Sequence, residues 1–263
     1  PEIGGAQAVA EAWRNLIATG AKPLAITNNM NFGNPERPKI MGQFVGCIKG
    51  MRDACLKLDF PVVSGNVSLY NETDGKAIMP TPVIGGIGLL ENASNHITID
   101  LKGADETIVS IGMLTGWLGQ SLYLRELFGQ ETGAPPPINL DEEKLNGDFI
   151  LRMIEGKYVT ACHDISDGGL LVAITEMAFS ALVKGKKLGV EIINTAKLDP
   201  FAFYFGEEQA RYIVTTVNPD KLLEMAKKAG VVANIIGKTT SNGQLILPDN
   251  CSVGLEELYN AHN

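Results

Sequence analysis

The sequence predicts an α+β fold, layered in the α/β manner and divided into two domains, on three observations. Helical and strand patterns alternate through residues 6–90, the composition turns polar at Glu91–His96, and short apolar strands mixed with long helices follow. That boundary puts a first domain at 1–93 and a second at 94–263. A chain of 263 residues is long enough for one large domain or two modest ones.

Each element has a local reason. Residues 6–19 are rich in helix formers, and Gly20 follows as a C-terminal stop. Lys22–Thr27 reads as a short buried strand that empties into the polar stretch Asn28–Pro35. Across Pro38–Leu58, Met41, Phe44, Ile48, Met51 and Cys55 recur at helical spacing. Phe60–Ser64 is a second buried strand, followed at once by Gly65, Asn66, Val67 and Ser68, and Pro82–Leu90 is a third, rich in glycine. In the second region, strands are expected at Ile97–Asp100, Thr107–Gly112, Tyr158–Cys162, Gly189–Ile193, Ala210–Thr216, Val231–Gly237 and Gln244–Leu247. Helices are expected at Asp141–Glu155, Leu170–Leu182 and Asp220–Ala229. Three consecutive prolines keep Gly129–Pro137 irregular.

Composition narrows the function. The balance of 22 basic against 30 acidic side chains gives a net charge of −8, with neither the basic excess nor the basic stripe of a nucleic-acid binder. No run of 18 apolar residues is present to span a membrane as a helix. The chain opens Pro1-Glu2-Ile3-Gly4-Gly5, without Met or a signal-peptide pattern, and reads as a piece of a longer protein. Its four cysteines form no CxxC, and its three histidines are scattered, so buried reduced thiols in a cytoplasmic protein are expected.

Several strands end in glycine- or asparagine-rich polar segments, where backbone N–H groups can approach a phosphate closely. Residues 62–68, VVSGNVS, fit either a ligand loop or an ordinary strand-ending turn, and they match neither a P-loop nor a dinucleotide fingerprint. In 162–169, CHDISDGG, Asp164 and Asp167 stand between a strand and a helix beside two glycines. They fit a Mg²⁺–nucleotide contact, and capping of the helix by Ser166 or Asp167 fits equally. His163 is read as a hydrogen-bonded structural residue rather than a general base. Glu207, Glu208 and Arg211 read as surface ion pairing before an apolar strand. Arg37, Lys39, Lys49, Arg52 and Lys57 give the second helix a local positive excess, either a solvated face or a field suited to a phosphorylated substrate.

Longer strings are more specific. LAITNNMNFGNPERPKIMGQF, FPVVSGNVSLYNET, MPTPVIGGIGLLE, CHDISDGGLLVAITEMA and FGEEQARYIV, together reaching from about Gly5 to Gly237, resemble the phosphoribosylformylglycinamidine synthases. The resemblance is to the C-terminal half of the synthetase subunit, within the aminoimidazole ribonucleotide synthetase superfamily. It implies an N-type domain followed by a C-type domain, the second copy of an internal duplication. The implied activity is ATP-dependent C–N ligation, converting formylglycinamide ribonucleotide, ATP and glutamine-derived ammonia to formylglycinamidine ribonucleotide, ADP and phosphate in purine biosynthesis. A non-catalytic, structural nucleotide-binding half of the same enzyme is the alternative.

The same resemblance assigns residues. Gly65 and Asp167 contact ATP, together with Asn28, which stands where the family commonly has aspartate; Asn66 and Asp164 hold Mg²⁺; Ser68 contacts substrate. Glu207, Glu208 and Gln209 take the place of a substrate-contacting Glu-Ser-Gln of the first half. The family's catalytic histidines lie in the N-terminal half, so no catalytic residue is assigned here and the piece is expected to be inactive alone. A glutaminase subunit or domain, a small bridging subunit, and the N-terminal half of the chain are the implied partners, with self-association of the isolated piece as a further expectation. The first domain is expected to set VVSGNVS, and the second HDISDGG, on opposite walls of one cleft.

Overall fold

The computed structural model describes residues 1–194, 196–248 and 251–262, and over them the chain is α+β with two main sheets. The first region begins with α1 (Glu2–Ala18), β1 (Lys22–Asn31), α2 (Pro38–Leu58) and β2 (Val62–Ser68). A small hairpin of β3 (Glu72–Thr73) and β4 (Lys76–Ala77) precedes β5 (Thr81–Leu89). The large strands form one sheet in the order β2-β1-β5, β1 pairing parallel to β2 and antiparallel to β5.

Two helices cover one face of this sheet. Gly86 and Gly88, two apart on β5, face α1: a Cβ at either would stand 3.1 Å from the Leu16 side chain. The glycine-rich strand is therefore a packing device that lets the helix lie close. The intervening positions Val83, Ile87 and Leu89 point away from α1 and are about half exposed.

The polar stretch after Thr27 is not a loop. β1 continues through Asn28, Asn29, Met30 and Asn31, because ladders to strands on both sides satisfy its backbone and outweigh the low strand propensity of asparagine. For the same reason β2 runs on through Gly65, Asn66, Val67 and Ser68, each in register with β1.

A 3₁₀ turn at Ala93–Asn95 links the regions, and the expected strand at Ile97–Asp100 is irregular. That segment docks on the end of α1 instead, Ile97 N–H donating to Thr19 O. The second region then runs through β6 (Thr107–Ile111), α3 (Leu122–Phe128), α4 (Leu140–Glu155), β7 (Ala161–Asp164) and α5 (Gly169–Val183). It continues with β8 (Gly189–Ile192), α6 (Pro200–Phe205), β9 (Tyr212–Thr216), α7 (Pro219–Ala229) and β10 (Ala233–Thr240). β11 (Gln244–Ile246), β12 (Ser252–Gly254) and α8 (Leu255–His262) complete it. Its seven strands are ordered β12-β11-β8-β10-β6-β9-β7 and, apart from the parallel β11–β8 pair, are antiparallel. β7 starts three residues later than the sequence suggests, and α3 and α6 are short helices that its pattern does not signal.

Both faces of the seven-stranded sheet are covered. Along β6, Val109 and Ile111 join a core with α4, α7 and α1, while Ile108 joins one with α5, α6 and α8. The first core is continuous with that beneath the three-stranded sheet, so Trp13 and Ile17 of α1 share a cluster with Phe149 and Ile150 of α4. α1 is the structural joint of the molecule. No helix of the described residues is long and apolar enough to cross a membrane.

Candidate nucleotide site

Pairing β1 with β2 brings the first group of site residues together. Asn28 lies beside Gly65, and Asn29 beside Asn66. The Asn66 amide donates to Asn29 Oδ1 at 3.0 Å, leaving Asn66 Oδ1 as an acceptor. Gly65 is required by close approach, since a Cβ there would overlap Asn28 Oδ1 and stand 3.0 Å from the Asn28 carbonyl oxygen. Thr27, Asn28, Asn29, Ser64, Gly65 and Asn66 line a cleft of about 480 Å³ with Val83, Ile84 and Gly85 of β5. Its walls are strands that set the polar residues of β1 and β2 beside the apolar Val83 and Ile84, and β2 is one of the two sheet edges. Asn28 also borders a second cleft of about 290 Å³ against α2, lined by Ile48, Met51, Arg52 and Val62 among others.

Ser68, at the end of β2, has its hydroxyl at 3.1 Å from the Asn71 amide nitrogen. That amide also donates to the carbonyl oxygens of Phe32 and Ser68. Asn71 therefore fixes both the turn and the hydroxyl, a contact the sequence motif alone did not signal.

Of the five basic residues singled out on the second helix and its entrance, three meet acids. Arg37 pairs with Glu72 at 3.1 Å, Arg52 with Asp53 at 2.6 Å, and Lys57 with Asp141. The positive field there is correspondingly reduced.

The second group stands on β7 and the turn into α5. Asp164 is 4% exposed, and with the Asn15 amide turned toward it Nδ2 donates to both carboxylate oxygens at 3.0 Å. His163 Nδ1 lies 3.2 Å from Asp164 Oδ1 and Nε2 2.9 Å from Glu176 Oε2. Burial opposes charge on this ring, but the two carboxylates prevail and push its pKa up to about 9. For Asp164, burial alone would raise the carboxyl, yet the His163 bond and the Arg14 guanidinium bring it below its ordinary value. His163 is thus a hydrogen-bonded ion-pair partner.

Asp164 and His163 line a cleft of about 500 Å³ with Asn15, Thr19, Thr98 and Lys184, between α1 and α5. The Asn28–Gly65–Asn66 cleft is a different one, so this chain by itself does not place VVSGNVS and HDISDGG on opposite walls of a single cleft. Among the described residues no group of three or more His, Cys, Asp or Glu side chains could hold a metal ion. Asp164, committed to Asn15 and His163, fits poorly as a Mg²⁺ ligand, whereas Asn66 offers one neutral, hard oxygen.

Asp167 is exposed at the tip of the turn. Neither it nor Ser166 caps α5: the N-cap is Gly168, at φ 79°, with no side-chain hydrogen bond. The capping reading of this carboxylate is thereby corrected, and Asp167 faces solvent.

The segment 207–211 is not a surface ion pair. Glu208 is buried and pairs with the fully buried Arg211 at 2.5 Å. Burial would raise its carboxyl, but Arg211 and backbone donors bring it down. Cys47 and Cys162 are buried as expected, whereas Cys55 is half-buried and Cys251 exposed.

A family model described as AIR synthase related protein, N-terminal domain, matches residues 1–90, and its C-terminal-domain counterpart matches 104–249. The phosphoribosylformylglycinamidine synthase subunit PurL of Bradyrhizobium sp. is 52% identical over 260 residues, covering 98% of this chain and 35% of that protein. Among solved structures, T. maritima PurL complexed with ATP superimposes with a TM-score of 0.72 at 20% identity, over 98% of this chain and 41% of that one. T. maritima PurL complexed with FGAR gives 0.73 at 21%, over 98% and 43%. With both domain models matched in order, this chain belongs to the AIR synthase related family and spans about a third of the length of the curated relative it matches.

Proposed function

We propose that the chain is the C-terminal half of an ATP-dependent C–N ligase of purine biosynthesis, a cytoplasmic enzyme. It would convert formylglycinamide ribonucleotide, ATP and glutamine-derived ammonia to formylglycinamidine ribonucleotide, ADP and phosphate. The observation that carries this reading is the cleft where β1 and β2 pair, which Asn28, Gly65 and Asn66 line, with Asn29 and Asn66 toward the open face and Asn28 and Gly65 toward α2. The 52% identity to a PurL subunit over nearly the whole chain supports it.

In this reading the sheet supplies rigid positions rather than a flexible loop. Gly65 leaves room for the Asn28 side chain, which offers the nucleotide an amide in place of a carboxylate. The Asn66 oxygen is the donor this half offers to a Mg²⁺ ion carried in with the nucleotide, which would neutralise phosphate charge. Ser68, held against Asn71, contacts substrate, and Asp167 contacts nucleotide from the second domain. Asp164 serves instead to hold Asn15 and His163. The proposed domains are 1–93 and 94–263, packed through α1.

The reacting centre is not complete here, because no residue of this half is assigned a proton-transfer role. The N-terminal half of the chain, formylglycinamide ribonucleotide, and a glutaminase subunit or domain, with or without a small bridging subunit, are the proposed partners; neither nucleic acid nor membrane is among them. A steady-state assay of the 263-residue chain with ammonia, Mg-ATP and substrate should show no turnover above background. Turnover near that of a full-length ligase would overturn the proposal.

The exposed edge strand and half-exposed Val83, Ile87 and Leu89 also keep open a purely structural role for nucleotide in this half. Asn66→Ala and Ser68→Ala in the full chain separate the two. Large losses of turnover at unchanged stability mark participation in the reaction, and lost stability at normal turnover marks the structural role.

A further inference from the structure

Three consecutive side chains after α6 each tie down a different segment, two in the second domain and one in α1 of the first. Glu207 Oε1 accepts from Leu122 N–H at 2.9 Å and from Gly168 N–H at 2.8 Å. Glu208 Oε1 accepts from Thr115 N–H at 2.7 Å, from Trp117 N–H at 3.1 Å and from Gly116 N–H. Gln209 Oε1 accepts from Arg14 Nη2 of α1 at 3.2 Å. The next residue, Ala210, sits at φ 60°, a left-handed conformation costly for alanine, and Asn146 donates to its carbonyl oxygen at 2.9 Å. A strained turn held from several sides fixes the direction in which Glu207 projects.

The Gly168 amide is the consequential one. It belongs to the same planar peptide unit as the Asp167 Cα and carbonyl, so holding its N–H fixes the backbone angle that aims Asp167. Gly168 and Gly169 both adopt positive φ, at 79° and 71°, and glycine by itself holds such a turn loosely. The Glu207 carboxylate anchors this loop to the first residue of α3, a segment more than forty positions away in the chain.

We propose that Glu207 is a positioning residue: it clamps the Asp167–Gly168 peptide to the start of α3 and thereby sets where the Asp167 carboxylate stands toward nucleotide. Its Oε1 is committed to this role. The effect on nucleotide rests on the reading of Asp167 given above; the clamp itself does not.

The test uses the full chain with Glu207→Ala, Glu207→Gln, Asp167→Asn, and the double variant of Glu207→Ala with Asp167→Asn. Amide hydrogen exchange at Gly168 reads the clamp, and the separate KM for Mg-ATP and kcat read its consequence. Glu207→Ala should speed Gly168 exchange at least tenfold and raise KM for Mg-ATP about tenfold, with kcat within twofold. Glu207→Gln, which keeps the accepting oxygen, should restore most of both. The double variant should be no worse than Asp167→Asn alone. If Glu207→Ala fails to fold, Glu207→Asp, one methylene shorter, replaces it with the same direction of change. Unchanged Gly168 exchange, or KM effects of the two sites that simply multiply, would overturn the proposal. An Asp167→Asn variant with normal KM would sink the nucleotide reading of Asp167, and Gly168 exchange would still decide whether the clamp exists.

Discussion

The two sheets of this molecule solve the same problem to different degrees. The seven-stranded sheet buries apolar side chains on both faces, and β9 is buried along its entire length. The three-stranded sheet buries one face against α1 and α2 and leaves the other open, with Val83, Ile87 and Leu89 about half exposed. Its edge strand β2 is exposed at nearly every position. An open face that mixes asparagines with valine, isoleucine and leucine is unusual for a finished surface and suits one that meets ligand and partner. The difference teaches where the molecule is self-sufficient: the covered sheet is a scaffold, and the open sheet is where the proposed chemistry and the proposed N-terminal half would meet it.

The largest expected effect lies at the joint between the sheets. Arg14 of α1 is buried and lies 3.5 Å from the equally buried Glu143 of α4. Arg14→Ala leaves that carboxylate without its charged partner and should cost about 3–5 kcal/mol in denaturant unfolding. A loss below about 1 kcal/mol would mean that the two regions are not joined through this pair.

Next come the sheets themselves. Ile213→Ala in β9 removes a fully buried side chain and should cost about 2–5 kcal/mol. Val83→Ala on the open face should stay within about 0.5 kcal/mol. A comparable loss at both positions would erase the contrast, because it would mean that the open face is covered in the isolated chain. Equilibrium sedimentation of the same variants would then reveal whether self-association covers it.

At the site, Gly65→Ala forces a methyl group onto the Asn28 amide and should cost about 1–3 kcal/mol. Asn28→Ala in the same molecule should relieve part of that loss, giving a non-additive pair. Additive losses would show that the two residues are not in contact.

The smallest effect is a pH dependence confined to the covered region. The folded-state pKa of His163 is raised to about 9 from an ordinary value near 6.5, so its ion pairs stabilise fully below about pH 6.5 and fade as pH rises through about 9. With Glu176 half exposed, the total is on the order of 1 kcal/mol. His163→Gln should flatten the stability profile over that window, and an unchanged slope would remove His163 as its source.

Much of this was legible in the residues, and the failures have physical causes. Helical spacing locates α2, although Met41 and Ile48 of the stripe are exposed and the buried face runs through Cys47, Met51, Ala54 and Leu58. β1 and β2 were cut short at Asn28 and Gly65 because propensity disfavours these residues, whereas ladder pairing decides. Ile97–Asp100 looks like a strand by alternation, but no neighbouring edge receives it, and it packs on α1. At the site, the motifs identified which residues matter locally but not what they face. Asp164 and Asp167 look alike in sequence, yet one is buried beside Asn15 and His163 and the other is exposed. The same holds for Glu208, whose pairing with Arg211 is legible but whose burial and backbone donors are visible only once the chain has folded.

The central claim is that the nucleotide site carried by the open sheet is incomplete without the surface that would cover it. Calorimetric titration of the 263-residue chain with Mg-ATP tests this most directly. Without a covering wall, water screens the contacts of Asn28, Asn66 and Asp167, and the dissociation constant should be no tighter than roughly 0.1–1 mM, about 4–5.5 kcal/mol. A micromolar or tighter constant would contradict the account, because it would show that this half holds the nucleotide by itself.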